Sequence, residues 1–133
     1  MAIEDTTFDD DGSYEIRADE ATNTLYLSFN GSIPKQRMVG AAEETLVAAE
    51  RLDEGFSIIN DISTFSPPSP EAAEPIQEAQ QELREMAVGD VVRVVGDDTS
   101  AVVVNAFERR SRKAGYGGKT ASTVQAAERQ LGI

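Results

Sequence analysis

Residues 56–71, Phe56-Ser57-Ile58-Ile59-Asn60-Asp61-Ile62-Ser63-Thr64-Phe65-Ser66-Pro67-Pro68-Ser69-Pro70-Glu71, decide how this chain folds. The run Phe56–Ile62 is short, rich in isoleucine and preceded by Gly55, the pattern of a buried strand. Ser66-Pro67-Pro68-Ser69-Pro70 then halts regular structure, because proline lacks an amide donor and holds its neighbour extended. A helix is expected from Pro70. A central strand, a stiff loop and a helix start therefore follow within sixteen residues. In open α/β sheets that edge, beyond the carboxyl ends of the strands, is where ligands and partners gather.

Working outward from it, Ser13–Ala18 and Thr24–Asn30 alternate apolar and polar residues across the turn residues Asp19–Asn23, which predicts a β-hairpin. A helix is expected from Pro34 to Leu52, carrying Met38, Ala42, Leu46 and Ala49 on one face, with Pro34 in its first turn and Ser32 as a cap. The helix from Pro70 to Ala87 has an apolar stripe of Ala72, Ile76, Ala79, Leu83 and Met86. Glu71, Glu74, Glu78, Glu82 and Glu85 lie on its solvent side. The stripe covers barely two heptads, too few for a coiled coil. Val91–Val95 is a β-branched strand, and Ser100–Gly115 a third helix with Val103, Phe107 and Ala114 inward. Lys119–Ala121 reads as a short edge strand. Ser122-Thr123-Val124-Gln125 fits a capping box before a last helix with Val124, Ala127 and Leu131.

Strands that alternate with helices imply parallel pairing, and the opening hairpin makes the sheet mixed. The expected fold is α/β: one domain over 13–133, four or five strands and about four helices. Ile58 and Val94 are expected to be buried in strands covered on both faces. Residues 1–12 form an acidic segment, expected to be disordered.

The 133 residues include no cysteine and no histidine. Disulfides, thiol catalysis and thiolate metal sites are excluded, and the commonest general base is missing. No apolar run approaches the roughly 20 residues of a membrane span, and the acidic start lacks the pattern of a secretory signal, so a cytoplasmic location is expected. Net charge is −12, which disfavours nucleic acid as a partner. Lysine occurs only at positions 35, 113 and 119. An acidic, lysine-poor surface points to a salt-adapted organism, an ordinary acidic domain being the plainer alternative. The charge is uneven. Residues 1–100 hold 22 acidic and 6 basic side chains, net −16, and residues 101–133 hold 2 and 6, net +4.

The opening hairpin, in which Asn23-Thr24-Leu25-Tyr26-Leu27 leads into Phe29-Asn30-Gly31, the central strand ending Asp61-Ile62-Ser63, the helix after each later strand, and the final cap and helix over Ser122–Leu131 together resemble the STAS-like, or SpoIIAA-like, superfamily. The resemblance spans Ser13–Ile133 and implies a non-enzymatic regulatory or protein-interaction module. In the antagonist branch of that superfamily, an Asp-Ser pair at the start of the helix after the central strand carries a regulatory phosphoserine. Ser69 is the nearest match in position, but Pro68 stands where the aspartate would be. The closer resemblance is therefore to stand-alone STAS-like proteins without the switch.

Several residues invite a functional reading beside a plainer one. Ser69 before Pro70 suits a helix N-cap, and a phosphosite is the alternative; Ser66 shares its loop. Asp61 suits a loop cap that accepts backbone amides, with general base or cation ligand as the alternatives. Asp97-Asp98-Thr99-Ser100 suits a turn and cap ahead of a magnesium site. Gly115–Thr120 lacks the first glycine and the preceding strand of a phosphate-binding P-loop, and is a helix terminator. Arg109, Arg110, Arg112 and Lys113 complement a helix C-terminus, yet four cations exceed what a cap needs, so an acidic partner or a second subunit is an equal reading. The favoured interaction surface is the Ser63–Ser69 loop with Glu74 and Glu78 of the helix after it, facing a protein partner. The alternative is a small apolar ligand or lipid held among Met38, Phe65, Met86 and Phe107. No cofactor is expected.

Overall fold

The computed structural model describes residues 12–65, 71, 74–96 and 119–133. Five strands form one sheet in sequential order: β1 (Ser13–Asp19), β2 (Thr24–Gly31), β3 (Ser57–Phe65), β4 (Val91–Val94) and β5 (Lys119–Ala121). Strand β1 runs antiparallel to β2, and every later pairing is parallel. The sheet is mixed, as the hairpin followed by alternating helices requires. Three helices lie among the described residues: α1 (Lys35–Ala49), α2 (Glu74–Glu85) and α3 (Val124–Leu131). The expected helix over Ser100–Gly115 lies outside them, as do residues 1–11.

The pleat divides the core in two. Leu25, Leu27, Phe29, Ile58, Ile62 and Val91 point to the face covered by α1 and α2, where Met38, Ala41, Ile76, Ala79 and Leu83 join them. Ile59, Val92, Val94 and Ala121 point to the other face, against Ala127 of α3. Strands β3 and β4 are buried on both sides, with Ile58 and Val94 each 2% exposed. That double burial is why the two strands read as nearly unbroken apolar runs. The exception is Arg93, 1% exposed and in register with Asn60 of β3, which is equally buried.

Several boundaries differ from the sequence expectation. Strand β3 continues three residues beyond Ile62, so Ser63, Thr64 and Phe65 belong to the sheet and not to the loop. Pro34 is the N-cap of α1 and not its first helical residue; no side chain caps this helix, Ser32 included. Ile33 and Met38, at the positions of a hydrophobic staple, are both fully buried in the same cluster and define the entry instead. Helix α1 ends at Ala49 and leaves Leu52 half-buried in the connection. At α3 the capping box gives way to a one-sided cap. Thr123 accepts from the Ala126 amide at 3.0 Å, and Ala126 stands where a reciprocal box needs Glu or Gln.

Helix α2 closes on a left-handed residue that is not glycine. Ala87 has φ 65°, its amide bonds to Arg84 O at 3.0 Å, and the Val88 amide bonds to Leu83 O at 3.3 Å. The two bonds form a Schellman motif with alanine in the glycine position. The hairpin turn is tied to the α1–β3 connection: the Asp53 amide donates to Asn23 Oδ1 at 2.8 Å, and Asn23 Nδ2 donates to Asp53 O at 3.3 Å. Gly12, assigned from sequence to the disordered segment, packs against Gly31, and Arg37 Nη1 donates to its carbonyl at 3.0 Å. A Cβ at Gly12 would stand 2.4 Å from Asn30 O, so only glycine allows the approach.

Candidate functional site

Strands β2 and β3 end side by side at the edge from which the proline-rich loop departs. Ser28 pairs with Asp61, but Asn30 pairs with Thr64, so Ile62 and Ser63 together oppose Phe29. This is a β-bulge, and its extra residue resets the alternation. Ile62 and Phe65, three apart, both face the α1–α2 core. Phe65 is 2% exposed, and its ring lies 5.6 Å from that of Phe29.

Asp61 is placed to hold the bulge. Its Oδ1 accepts the Ser63 amide at 3.1 Å and the Ser63 hydroxyl at 2.7 Å. A two-residue reach from an aspartate to a backbone amide is the geometry of an Asx turn, here set inside a strand. Across the strand pair, Thr64 Oγ1 donates to Asn30 Oδ1 at 2.6 Å. Short polar side chains therefore brace the ends of β2 and β3, and Phe65 packs into the core instead of offering a ring to a partner.

Beside this edge, α1 and α2 enclose a groove of about 220 Å³. Lys35, Val39 and Leu46 of α1 face Glu74, Glu78 and Glu82 of α2 across it. Lys35 Nζ lies 3.5 Å from Glu74 Oε1, with both side chains well exposed. Val39 is 44% exposed, which leaves an apolar floor under an acidic rim. The α2 acids project outward because its buried stripe, Ile76, Ala79 and Leu83, takes the opposite side. Periodicity predicts that side correctly.

On the other face of the sheet a second groove, of about 280 Å³, holds Arg17, Tyr26, Ser28, Asp61 and Glu128. The Arg17 guanidinium lies 4.1 Å from the centre of the Tyr26 ring. Tyr26 donates its hydroxyl to Glu128 Oε2 at 2.7 Å. Burial, and then the hydrogen bond to Glu128, push its pKa up to about 12. Tyr14 on β1 is also raised, chiefly by donating to Glu44 Oε2 at 2.6 Å. The chemistry of both grooves is that of ion pairing and hydrogen bonding. Among the described residues no group of three or more His, Cys, Asp or Glu side chains is arranged to hold a metal ion.

The structure thus places Asp61 at the bulge and Glu74 and Glu78 on one groove, with Asp61 on the opposite face of the sheet from the two glutamates. Ser66, Ser69, Arg109, Arg110, Arg112 and Lys113 lie outside the described residues, as do Asp97–Ser100 and Phe107. Met38, Phe65 and Met86 pack into the core cluster. Sequence reading missed the contribution of α1 to the acidic groove. The available signal was Val39 with Glu43 four residues on, an apolar residue and an acid outside the buried stripe.

No protein-family model matches the chain, and no curated protein matches it in sequence. Among solved structures, the anti-sigma factor antagonist SpoIIAA in its unphosphorylated form superposes with a TM-score of 0.61, over 91% of this chain and 98% of that one, at 14% identity. The fold is STAS-like. At that identity the likeness is one of architecture. No helix among the described residues is long and apolar enough to cross a membrane.

Proposed function

We propose that this chain is a non-enzymatic STAS-like regulatory module, working in the cytoplasm of a salt-adapted organism, whose α1–α2 groove and adjacent proline-rich loop receive a basic protein segment. The observation that carries this reading is the acidic rim of Glu74, Glu78 and Glu82 over the half-exposed Val39. A partner strand or helix with one apolar anchor and flanking arginines matches it in shape and charge. The fold shared with SpoIIAA, an anti-sigma factor antagonist, supports a regulatory role. Three prolines between Ser66 and Pro70 limit the freedom of the unbound loop, so less ordering entropy is lost on association. Ser69 is read as the cap of the following helix, since Pro68 replaces the aspartate of the phosphorylated branch.

The test is a Glu74→Lys, Glu78→Lys double variant. Both positions are exposed or nearly so, and the change is expected to leave folding almost intact. A partner captured from the native host should bind the variant more weakly in titration calorimetry, mainly through slower association. Equal affinity for the double variant, together with loss of binding by Arg109→Glu or Arg112→Glu, would move the interface to the basic segment after residue 100.

A further inference from the structure

Among the described residues, strand β1 is an edge of the sheet, paired with β2 on one side only. It is seven residues long, Ser13-Tyr14-Glu15-Ile16-Arg17-Ala18-Asp19. An edge of that length is a template for another strand unless its side chains prevent it. Here the side chains favour one partner. If a second β1 lies antiparallel to the first about a two-fold axis through Ile16, Glu15 stands opposite Arg17 of the other copy, and Arg17 opposite its Glu15. Ser13 then meets Asp19, Tyr14 meets Ala18, and Ile16 meets itself. The two neighbouring registers that keep the faces matched are repulsive. Centring on Glu15 sets glutamate against glutamate. Centring on Arg17 sets arginine against arginine and Glu15 against Asp19. Like charges directly opposite one another on paired strands destabilise them, and opposite charges stabilise them. The charge pattern of β1 is thus self-complementary in one register.

The surroundings of β1 fit the same arrangement. Between β1 and α1 runs an open groove of about 570 Å³, where Ile16, Ala18 and Val47 are joined by charges of both signs, Arg17 and Arg51 with Glu43 and Glu44. Val47 is 60% exposed, the most exposed large apolar side chain among the described residues. A two-fold through Ile16 carries both copies of α1 to the same side of a continuous sheet, where each Val47 faces the other molecule. Arg17 stacks on Tyr26 at 4.1 Å, yet its side chain is 58% exposed and its contact with Asp19 is a loose 3.7 Å, so its guanidinium edge can still meet a carboxylate across the joint.

We propose that the chain self-associates through β1, forming a symmetric dimer with one ten-stranded sheet across the two copies and the α1 helices side by side over the joint. The second copy is the occupant because the edge presents the charge pattern that its own sequence complements. This surface is distinct from the α1–α2 groove, and the dimer leaves that groove open.

Sedimentation velocity on the full chain, from micromolar to submillimolar concentration in about 0.15 M salt, tests it; there the repulsion between two net −12 molecules is screened beyond roughly 8 Å, while pairs in contact still interact. The parent should show a concentration-dependent dimer. Arg17→Glu alone and Glu15→Arg alone each set two like pairs in register and should weaken dimerisation by roughly tenfold or more. The combined Glu15→Arg, Arg17→Glu variant restores both pairs with their signs exchanged and should dimerise as the parent does. Hydrogen exchange supplies a readout without substitutions: amides of β1 should gain protection as concentration rises. A parent that stays monomeric, or a dimer indifferent to the single swaps, overturns the proposal. So does a folded double variant that fails to recover. Protection of β1 that does not change with concentration also overturns it, because the edge is then covered within one chain.

Discussion

Asp61 shows how one carboxylate can be structural in a position that invites a catalytic reading. Ser63 sits half-buried at the bulge, where the pairing of β2 with β3 is interrupted. Asp61 Oδ1 supplies an acceptor for its amide from two residues away. Asp61→Ala should therefore lower unfolding free energy by about 1 kcal/mol, read from urea denaturation, and Asp61→Asn, which keeps an acceptor oxygen, should recover most of it. An alanine variant as stable as the parent would show that the bulge holds without its clamp. Tyr26 makes a second prediction at this scale. Its pKa is raised from 10.0 to about 12 by burial and the bond to Glu128, so the folded state favours the neutral phenol. The associated stability is fully present below the unfolded pKa near 10 and is lost as pH rises toward 12. In an alkaline absorbance titration the Tyr26 phenolate should appear well above pH 10, and Tyr26→Phe should flatten the decline in stability over that window. An ordinary titration near pH 10 would mean that neither the burial of the ring nor the Glu128 contact persists in solution.

Among the elements, α2 carries a built-in cost at its C-terminus. A left-handed residue with a Cβ is strained by roughly 1–2 kcal/mol, and Ala87 occupies that conformation at φ 65° while exposed to solvent. Replacing alanine by glycine usually destabilises a helix, but at this position the sign reverses. Ala87→Gly should raise the melting temperature, with a gain of about 1 kcal/mol in unfolding free energy. A loss of stability would mean that the Schellman closure is not the resting state of the helix end. The same geometry explains why α2 stops here without a glycine. The chain has to turn toward β4, and Gly89 takes the tight crossing, where an added Cβ would come within 2.6 Å of Gly55 O.

Over the whole molecule, charge sets the terms. A net −12 on 133 residues opposes compaction through self-repulsion, and the effect is long-ranged in dilute salt, where the screening length reaches about 30 Å near 0.01 M. Little in the described ion pairing offsets it. Lys35–Glu74 and Lys119–Asp90, at 3.5 and 3.6 Å, are exposed contacts worth little. The melting temperature should accordingly climb as KCl is added to a low-salt solution, tracked by far-ultraviolet circular dichroism. A profile that stays flat into molar salt would remove the basis for reading the composition as salt adaptation.

The sequence by itself determined the order of the described elements, the hairpin, the mixed sheet and the inward faces of the three described helices. Each is written in a short-range period: two for Tyr14-Glu15-Ile16-Arg17-Ala18, three to four for Ile76, Ala79 and Leu83. Apolar burial makes such a period nearly obligatory, since a one-residue slip turns a whole strand inside out. The clearest failure in the strands came where the period is interrupted. Ser63-Thr64-Phe65 breaks the alternation and reads as loop, yet it is strand, because a bulge absorbs the extra residue and Phe29, distant in sequence, receives Phe65. The same holds for the sites. Asp61, Glu74 and Glu78 were visible as residues. That they stand on opposite faces of the sheet, that α1 supplies Val39 to the acidic groove, and that Tyr26 meets Glu128 across 102 positions were decided by tertiary structure alone. Local pattern encodes which side of an element is buried. It carries no information about which element lies opposite, because that depends on sheet order and helix placement, settled only when the whole core closes.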